Sequence, residues 1–344
     1  MKKYYSEEIE KGTKNREEYL DTVEQYIDEA FIKAKERRQK FMTPQKYASN
    51  PEKYRTELIQ MLGFPLSAQV ELPKLIEKKF VAEDGNVKIF RMQLCFYGKL
   101  KFYGIYFEQK ENSTAVPFII GLHGGDGTPE LAGSLHMDSA NYNHLLRRIT
   151  DRGASVFAPQ LLLWKLSDYG GKEYARAKID GQLRRLGGSV TALELSLLRG
   201  CLSYFIENEG INTDKIGAAG MSYGGMYALH LAAVDPRVKA CLSCSWFHDS
   251  TRVPWADWSY FRAAETFMNA EVAALVAPRA LCVNMGDKDE LFSSLDTHKE
   301  AERAKPYFAA LGAEENFLAY EFSGTHEADK GDKGLDFFFA HLSK

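Results

Sequence analysis

No apolar run in this 344-residue sequence approaches the ~18 residues that a membrane-spanning helix needs. The chain begins MKKYYSEE and no apolar stretch follows, so no secretory signal is expected. Neither sign of charge dominates: 44 Lys and Arg stand against 47 Asp and Glu, a net charge of −3, which implies no basic face for nucleic acid. Cysteine is scarce, and the 5 present are an odd number without the spacing of a disulfide framework. Cys241 and Cys244 form a C-x-x-C, but within VKACLSCSW, the pattern of a buried strand. A redox or zinc site would want flanking turns or a second pair. The reading is reduced core cysteines, and with them a cytoplasmic protein. No ligand cluster is visible, so neither metal nor cofactor is expected. Internal repeats and low-complexity segments are also missing.

What is present divides at about residue 76. Residues 1–76 read as a helical extension. Tyr19, Val23, Tyr26, Ile27, Ala30, Phe31 and Ala34 form one apolar stripe at helical spacing, opposite Glu24, Asp28, Lys33 and Lys35. Asn50 caps a second helix with Pro51 at its first position, and Gly63 with Pro65 ends it. The stripe is expected to pack against the rest of the chain; the alternatives are a dimerisation arm or a lid.

Residues 77–344 read as one α/β unit. EKKFVAED, VKIFRMQLCF and LKFYGIYFEQ, separated by turns, describe an antiparallel meander. Strands and helices then alternate, and AVPFIIGL (115–122) is continuously apolar, as a strand buried on both faces should be. Such alternation predicts a mostly parallel sheet with helices on both faces.

Between the strand KIGAAGM and a helix ended by Pro236 lies Gly220-Met221-Ser222-Tyr223-Gly224-Gly225. A G-x-S-x-G at a strand-to-helix junction is a nucleophile elbow: the serine sits at a strained tip, and its neighbours are small because strand and helix nearly collide. A serine hydroxyl needs a base, itself oriented by an acid. Downstream, Asp287 and Asp289 follow Gly286 at the end of a buried strand, and His326 lies in the loop after the last strand. Both are where ligands bind in open α/β sheets. Taken singly, each is more simply a turn aspartate or a surface histidine; order and position together point to catalysis. Of the two aspartates, Asp289 is favoured, with Glu290 the next to test. His230, on the helix after the elbow, reads as core. The oxyanion amides are assigned to Tyr223 and, in the loop HGGDG after the first buried strand, to Gly125 rather than Gly124.

These residues resemble the α/β-hydrolase superfamily, within it the dienelactone-hydrolase-related and acetyl-xylan-esterase-like group. The matching pieces are YRTELIQMLGFPL, LHGG, GMSYGG, APRALCVNMGDKDELF and FSGTHE, together spanning about residues 54 to 327. The resemblance implies a serine carboxyl-ester hydrolase without a metal, and its G-x-x-D pattern also places the acid at Asp289. True dienelactone hydrolases carry a cysteine nucleophile, and position 222 is Ser.

The expected substrate is a small-molecule ester, with no nucleic acid or membrane partner, and with homo-oligomerisation through the N-terminal helices as an option. The segment 245–261 resembles a cap whose Trp246, Trp255 and Trp258 line a substrate site; the plainer reading is that it packs itself shut. QLLLWKLSDYGG, with Trp164 and Tyr169, is a second candidate wall. Two alternatives stand beside the esterase: a prolyl-oligopeptidase-like peptidase, disfavoured because too few residues precede the HGG strand for a propeller, and a non-catalytic scaffold, disfavoured because no triad member is missing.

Overall fold

The buried strands form where the continuous apolar runs lie. The computed structural model describes residues 4–111, 115–135, 139–162, 176–253 and 258–342. The meander is β1 (Lys74–Asp84), β2 (Val87–Phe96) and β3 (Leu100–Gln109), and the later strands are β4 (Phe118–Leu122), β5 (Ser155–Pro159), β6 (Ile216–Met221), β7 (Ala240–Cys244), β8 (Ala280–Gly286) and β9 (Phe317–Phe322). They make one sheet in the order β1-β2-β3-β5-β4-β6-β7-β8-β9. Pairing is antiparallel from β1 to β5 and parallel from there to β9. Successive crossovers leave β4 toward β5 on one side and β6 on the other, so the strand order reverses beside β4. A crevice opens at such a switch point.

Two hydrophobic cores sandwich the sheet. One lies under α3 (Pro51–Leu62), α7 (Val190–Asn208) and α8 (Tyr223–Val234), with α9 (Asn269–Ala274) and α10 (Ser294–Ala309) beside them. The other lies under α5 (Leu145–Asp151) and α11 (Lys333–Leu342), with the short α4 (Pro129–Ala132) at its margin. Cys201, Cys241, Cys244 and Cys282 are free thiols inside these cores. No helix among the described residues is long and apolar enough to cross a membrane.

The N-terminal region holds three helices: α1 (Thr13–Phe41), α2 (Pro44–Ser49) and α3. Asn50 caps α3 by accepting from the Lys53 amide, and Gly63 ends it at φ 86°. The expectation that the stripe on α1 packs against the domain is not met. Tyr19 is 73% exposed and Tyr26 equally so, with Ile27 and Phe31 also exposed. At 29 residues α1 is about 43 Å long, and only its last turns lie over the domain. There Ala34 and Arg38 are buried; the Arg38 guanidinium donates to the Ala264 carbonyl and pairs with Glu271 at 3.5 Å. Arg184 and Arg185 close α6 (Arg176–Arg185), where Arg184 bonds Asp180 one turn back.

Candidate active site

Ser222 stands between β6 and α8 at φ 57° and ψ −122°. This is strained for any residue with a Cβ. The glycines permit it: a Cβ at Gly220 would overlap the Gly224 carbonyl, and one at Gly224 the Leu122 carbonyl. The amide of Ser222 donates to the Cys244 carbonyl at 2.8 Å, which ties the tip to β7. Although Ser222 occupies the N-cap position of α8, its side chain does not cap. Oγ donates instead to Nε2 of His326, 2.7 Å away. On the other edge of the ring, Nδ1 donates to Oδ2 of Asp289 at 2.8 Å.

Asp289 reaches the histidine because the chain turns behind β8: the Asp289 amide bonds the Gly286 carbonyl. Its side chain is wholly buried, and Oδ1 accepts from the amides of Leu291 and Phe292 at 2.9 and 3.0 Å. The carboxylate is thereby aimed by backbone on one oxygen and at imidazole with the other. Asp287 points elsewhere and accepts from the Gly324 amide at 2.9 Å. Glu290 does not touch the ring; it accepts from the His326 amide at 3.2 Å.

The loop carrying His326 is held by residues with no local sequence signal. Asn141 Nδ2 donates to the His326 carbonyl, and Ser245 Oγ donates to the Glu327 carbonyl. Phe292 meets the imidazole edge-on, with centroids 5.5 Å apart.

Opposite Ser222 lies the loop after β4. Gly124 donates its amide to Tyr142 Oη at 2.7 Å, so that amide is engaged. Gly125 lines the cleft, and among the described residues no protein acceptor takes its amide. The Tyr223 amide lies in the first turn of α8, where backbone N–H groups point outward and the helix end carries positive potential. His123 holds the loop from below: Nδ1 donates to the Gly124 carbonyl, while Nε2 accepts from the Leu161 amide at 2.9 Å. Burial pushes this imidazole down to about 4, consistent with a neutral ring that donates on one side and accepts on the other.

Tyr223 itself is fixed by a buried charge pair. Its hydroxyl donates to Glu194 at 3.0 Å, and Arg176 places its guanidinium 4.5 Å from the ring centroid. Arg176 pairs with Glu194 at 3.3 Å, both side chains being almost fully buried. Burial pushes the Glu194 carboxyl up while Arg176 pulls it back.

Ser222, His326, Gly125, Tyr142 and Leu291 line a cleft of about 200 Å³. Of the expected tryptophans, the two within the described residues do not line it. Trp246 and Trp258 are buried against each other, centroids 4.2 Å apart, and Trp258 stacks on Tyr223. They form a wall behind the cleft because the segment after β7 turns down over the core. Trp255, Trp164 and Tyr169 lie outside the described residues.

No protein-family model matches the chain. YtaP of Bacillus subtilis (strain 168), whose name assigns it provisionally to the hydrolases, is 23% identical over 285 residues, 79% of this chain and 92% of that protein. The glucuronoyl esterase from Solibacter usitatus superposes with a TM-score of 0.64 at 13% identity, covering 88% of this chain and 94% of its own. A Bacteroides fragilis protein provisionally described as an acetyl xylan esterase superposes with a TM-score of 0.63 at 16% identity, covering 82% and 76%. At such identities the likeness to the solved structures is one of architecture, and it agrees with the sheet order and the elbow: this chain has the α/β-hydrolase fold.

Proposed function

We propose that the protein is a serine carboxyl-ester hydrolase that works through an acyl-enzyme on Ser222. The observation that carries this reading is the continuous line from Ser222 Oγ through His326 to Asp289, with bonds of 2.7 and 2.8 Å. In the proposed reaction Oγ attacks the ester carbonyl carbon as its proton passes to Nε2 of His326. The oxyanion forms against the amides of Tyr223 and Gly125. As the intermediate collapses, the imidazolium returns the proton to the leaving alcohol, and the acyl group stays on Oγ. A water then repeats the sequence and releases the acid. Asp289 holds the imidazole tautomer and stabilises the imidazolium. Donors placed at the developing oxyanion are worth about 3 to 4 kcal/mol each in such sites.

A cleft of about 200 Å³ suits a short acyl group, and of the similar structures one is provisionally described as an acetyl xylan esterase and another is named a glucuronoyl esterase. The substrate class we infer is therefore a small acylated molecule or acetylated sugar. The free, buried thiols fit a reducing compartment such as the cytoplasm, and the exposed stripe on α1 is our candidate contact between copies of the chain. The test is covalent labelling of Ser222 by a fluorophosphonate, followed by a panel of acetyl, propionyl and butyryl esters and acetylated sugars. A protein that takes no label and cleaves no ester is a scaffold.

A further inference from the structure

A second cavity, of about 310 Å³, lies on the far side of the tryptophan wall. Its lining includes Phe31 of α1, Met226 and His230 of α8, Trp246, Trp258 and Phe267, and it shares none of the residues that line the Ser222 cleft. The volume falls at the lower end of the range for small-molecule sites, and aromatic and thioether walls with a few polar groups among them, here Ser250, Arg262 and Asn269, are what such sites use.

Its polar groups include the imidazole of His230. His230 is 4% exposed. Its Nδ1 lies 2.9 Å from the Met226 carbonyl, one helical turn back. A carbonyl can only accept, so Nδ1 carries the proton and Nε2 is left as an acceptor. Among the described residues Nε2 has no partner, nor is it sealed away among the buried atoms that lack one. Burial pushes the imidazole down to about 4, so the ring stays neutral in ordinary buffers. An unmet acceptor facing a cavity calls for a ligand that brings it a donor, because leaving it unmet costs the desolvation of that nitrogen, and the aromatic and thioether side chains around it favour a ligand with an apolar body.

We infer that this cavity is a binding site for a compact aromatic or aliphatic alcohol, phenol or comparable N–H compound, held by donation to His230 Nε2. The site is separate from the ester cleft but adjoins it, since Trp258 lines the cavity and stacks on Tyr223, while the Met226 amide bonds the Ser222 carbonyl. An alcohol is also what ester cleavage releases, yet the inference does not rest on that activity.

The test uses the full chain, isothermal titration calorimetry and two probes of nearly the same shape: 2-naphthol, which has the donor, and 2-methoxynaphthalene, which lacks it. The expected result is binding of 2-naphthol at least tenfold tighter than the ether. His230→Phe should bring the two within about twofold. Phe31 is partly exposed at the rim, so Phe31→Ala is safe for folding and should weaken 2-naphthol severalfold. Ser222→Ala should leave its affinity unchanged, which separates this site from the ester cleft whether or not the chain hydrolyses esters. No binding by 1 mM, equal affinity for the two probes, indifference to Phe31→Ala, or loss of affinity in Ser222→Ala each overturns the inference.

Discussion

The carboxylate of Asp289 stands 2.8 Å from Nδ1 of His326, while the carboxylate of Asp287 turns away to the Gly324 amide. The two aspartates are two residues apart and should behave very differently. Asp289→Asn is expected to lower kcat by about 10³ to 10⁴, since an amide presents the wrong partner to Nδ1. Asp287→Asn should cost less than about tenfold, as loss of a turn contact would. Rates measured side by side on one ester decide it, and the reverse order would move the acid to Asp287.

Removing the hydroxyl at position 222 is expected to reduce ester turnover on the order of 10⁶-fold. The choice of replacement should then matter for stability alone. Glycine tolerates φ 57°, whereas alanine keeps the Cβ that makes the backbone costly. Ser222→Gly is expected to be more stable than Ser222→Ala by about 1 kcal/mol. Urea denaturation of the two inactive proteins measures the difference; equal midpoints would mean that the surroundings absorb the strain.

Acid should destabilise the protein before its carboxylates titrate. His123, His230 and His248 are each pushed down to about 4 by burial. Unfolded histidines titrate near ~6.5. Between those values the unfolded chain takes up protons that the folded chain refuses, so the stability is whole above about pH 6.5 and declines as the pH falls toward 4. Each buried histidine contributes a loss of roughly 2 kcal/mol by pH 5. Urea midpoints at pH 7 and pH 5 report it; a flat profile would show that these rings take protons without unfolding.

The charge pair behind Tyr223 should be unforgiving when halved. Glu194→Ala strands Arg176 in the interior, at an expected cost of about 3 to 5 kcal/mol. Glu194→Leu combined with Arg176→Met removes both charges and should recover much of that stability. If the double variant is no better than the single, the pair is not what decides the folding of this region.

Deleting residues 1–28 removes exposed turns of α1 and keeps Ala34, Arg38 and the contacts to Ala264 and Glu271. The melting temperature should move by no more than about 2 °C. Deleting residues 1–41 should lower it markedly, since Arg38 is nearly buried and its partner Glu271 loses a cation. Sedimentation of the shorter deletion also tests whether the stripe joins copies: a fall from dimer to monomer would place the contact there.

Much of the fold was legible because it follows from local rules. Buried strands read as apolar runs, and Ser222 could be singled out because only glycine fits beside it where β6 meets α8. The order Ser222, Asp289, His326 pointed to three side chains that the structure brings within hydrogen-bond reach. What stayed hidden depends on chain segments that meet only in space. Tyr142 withdraws the Gly124 amide from eighteen residues away, and Glu194 reaches Tyr223 from another helix. The tryptophans misled for a related reason. An aromatic-rich segment looks the same whether its rings face a substrate or each other, and here Trp246 and Trp258 face each other. The stripe on α1 misled because periodicity records which face is apolar and says nothing of what covers it.

The positive φ at residue 222 also sets a direction for genetic drift. Serine codons AGC and AGT become glycine by one base change, and glycine is the residue that this backbone accepts most easily. Where one of these codons stands at position 222, a lineage no longer selected for turnover has a short route to a variant that folds at least as well. Selection for chemistry must act continuously on this single position to keep the serine, while Gly220 and Gly224 are retained by packing alone. A glycine at the tip between two surviving glycines would mark a descendant that has lost its reaction and kept its architecture.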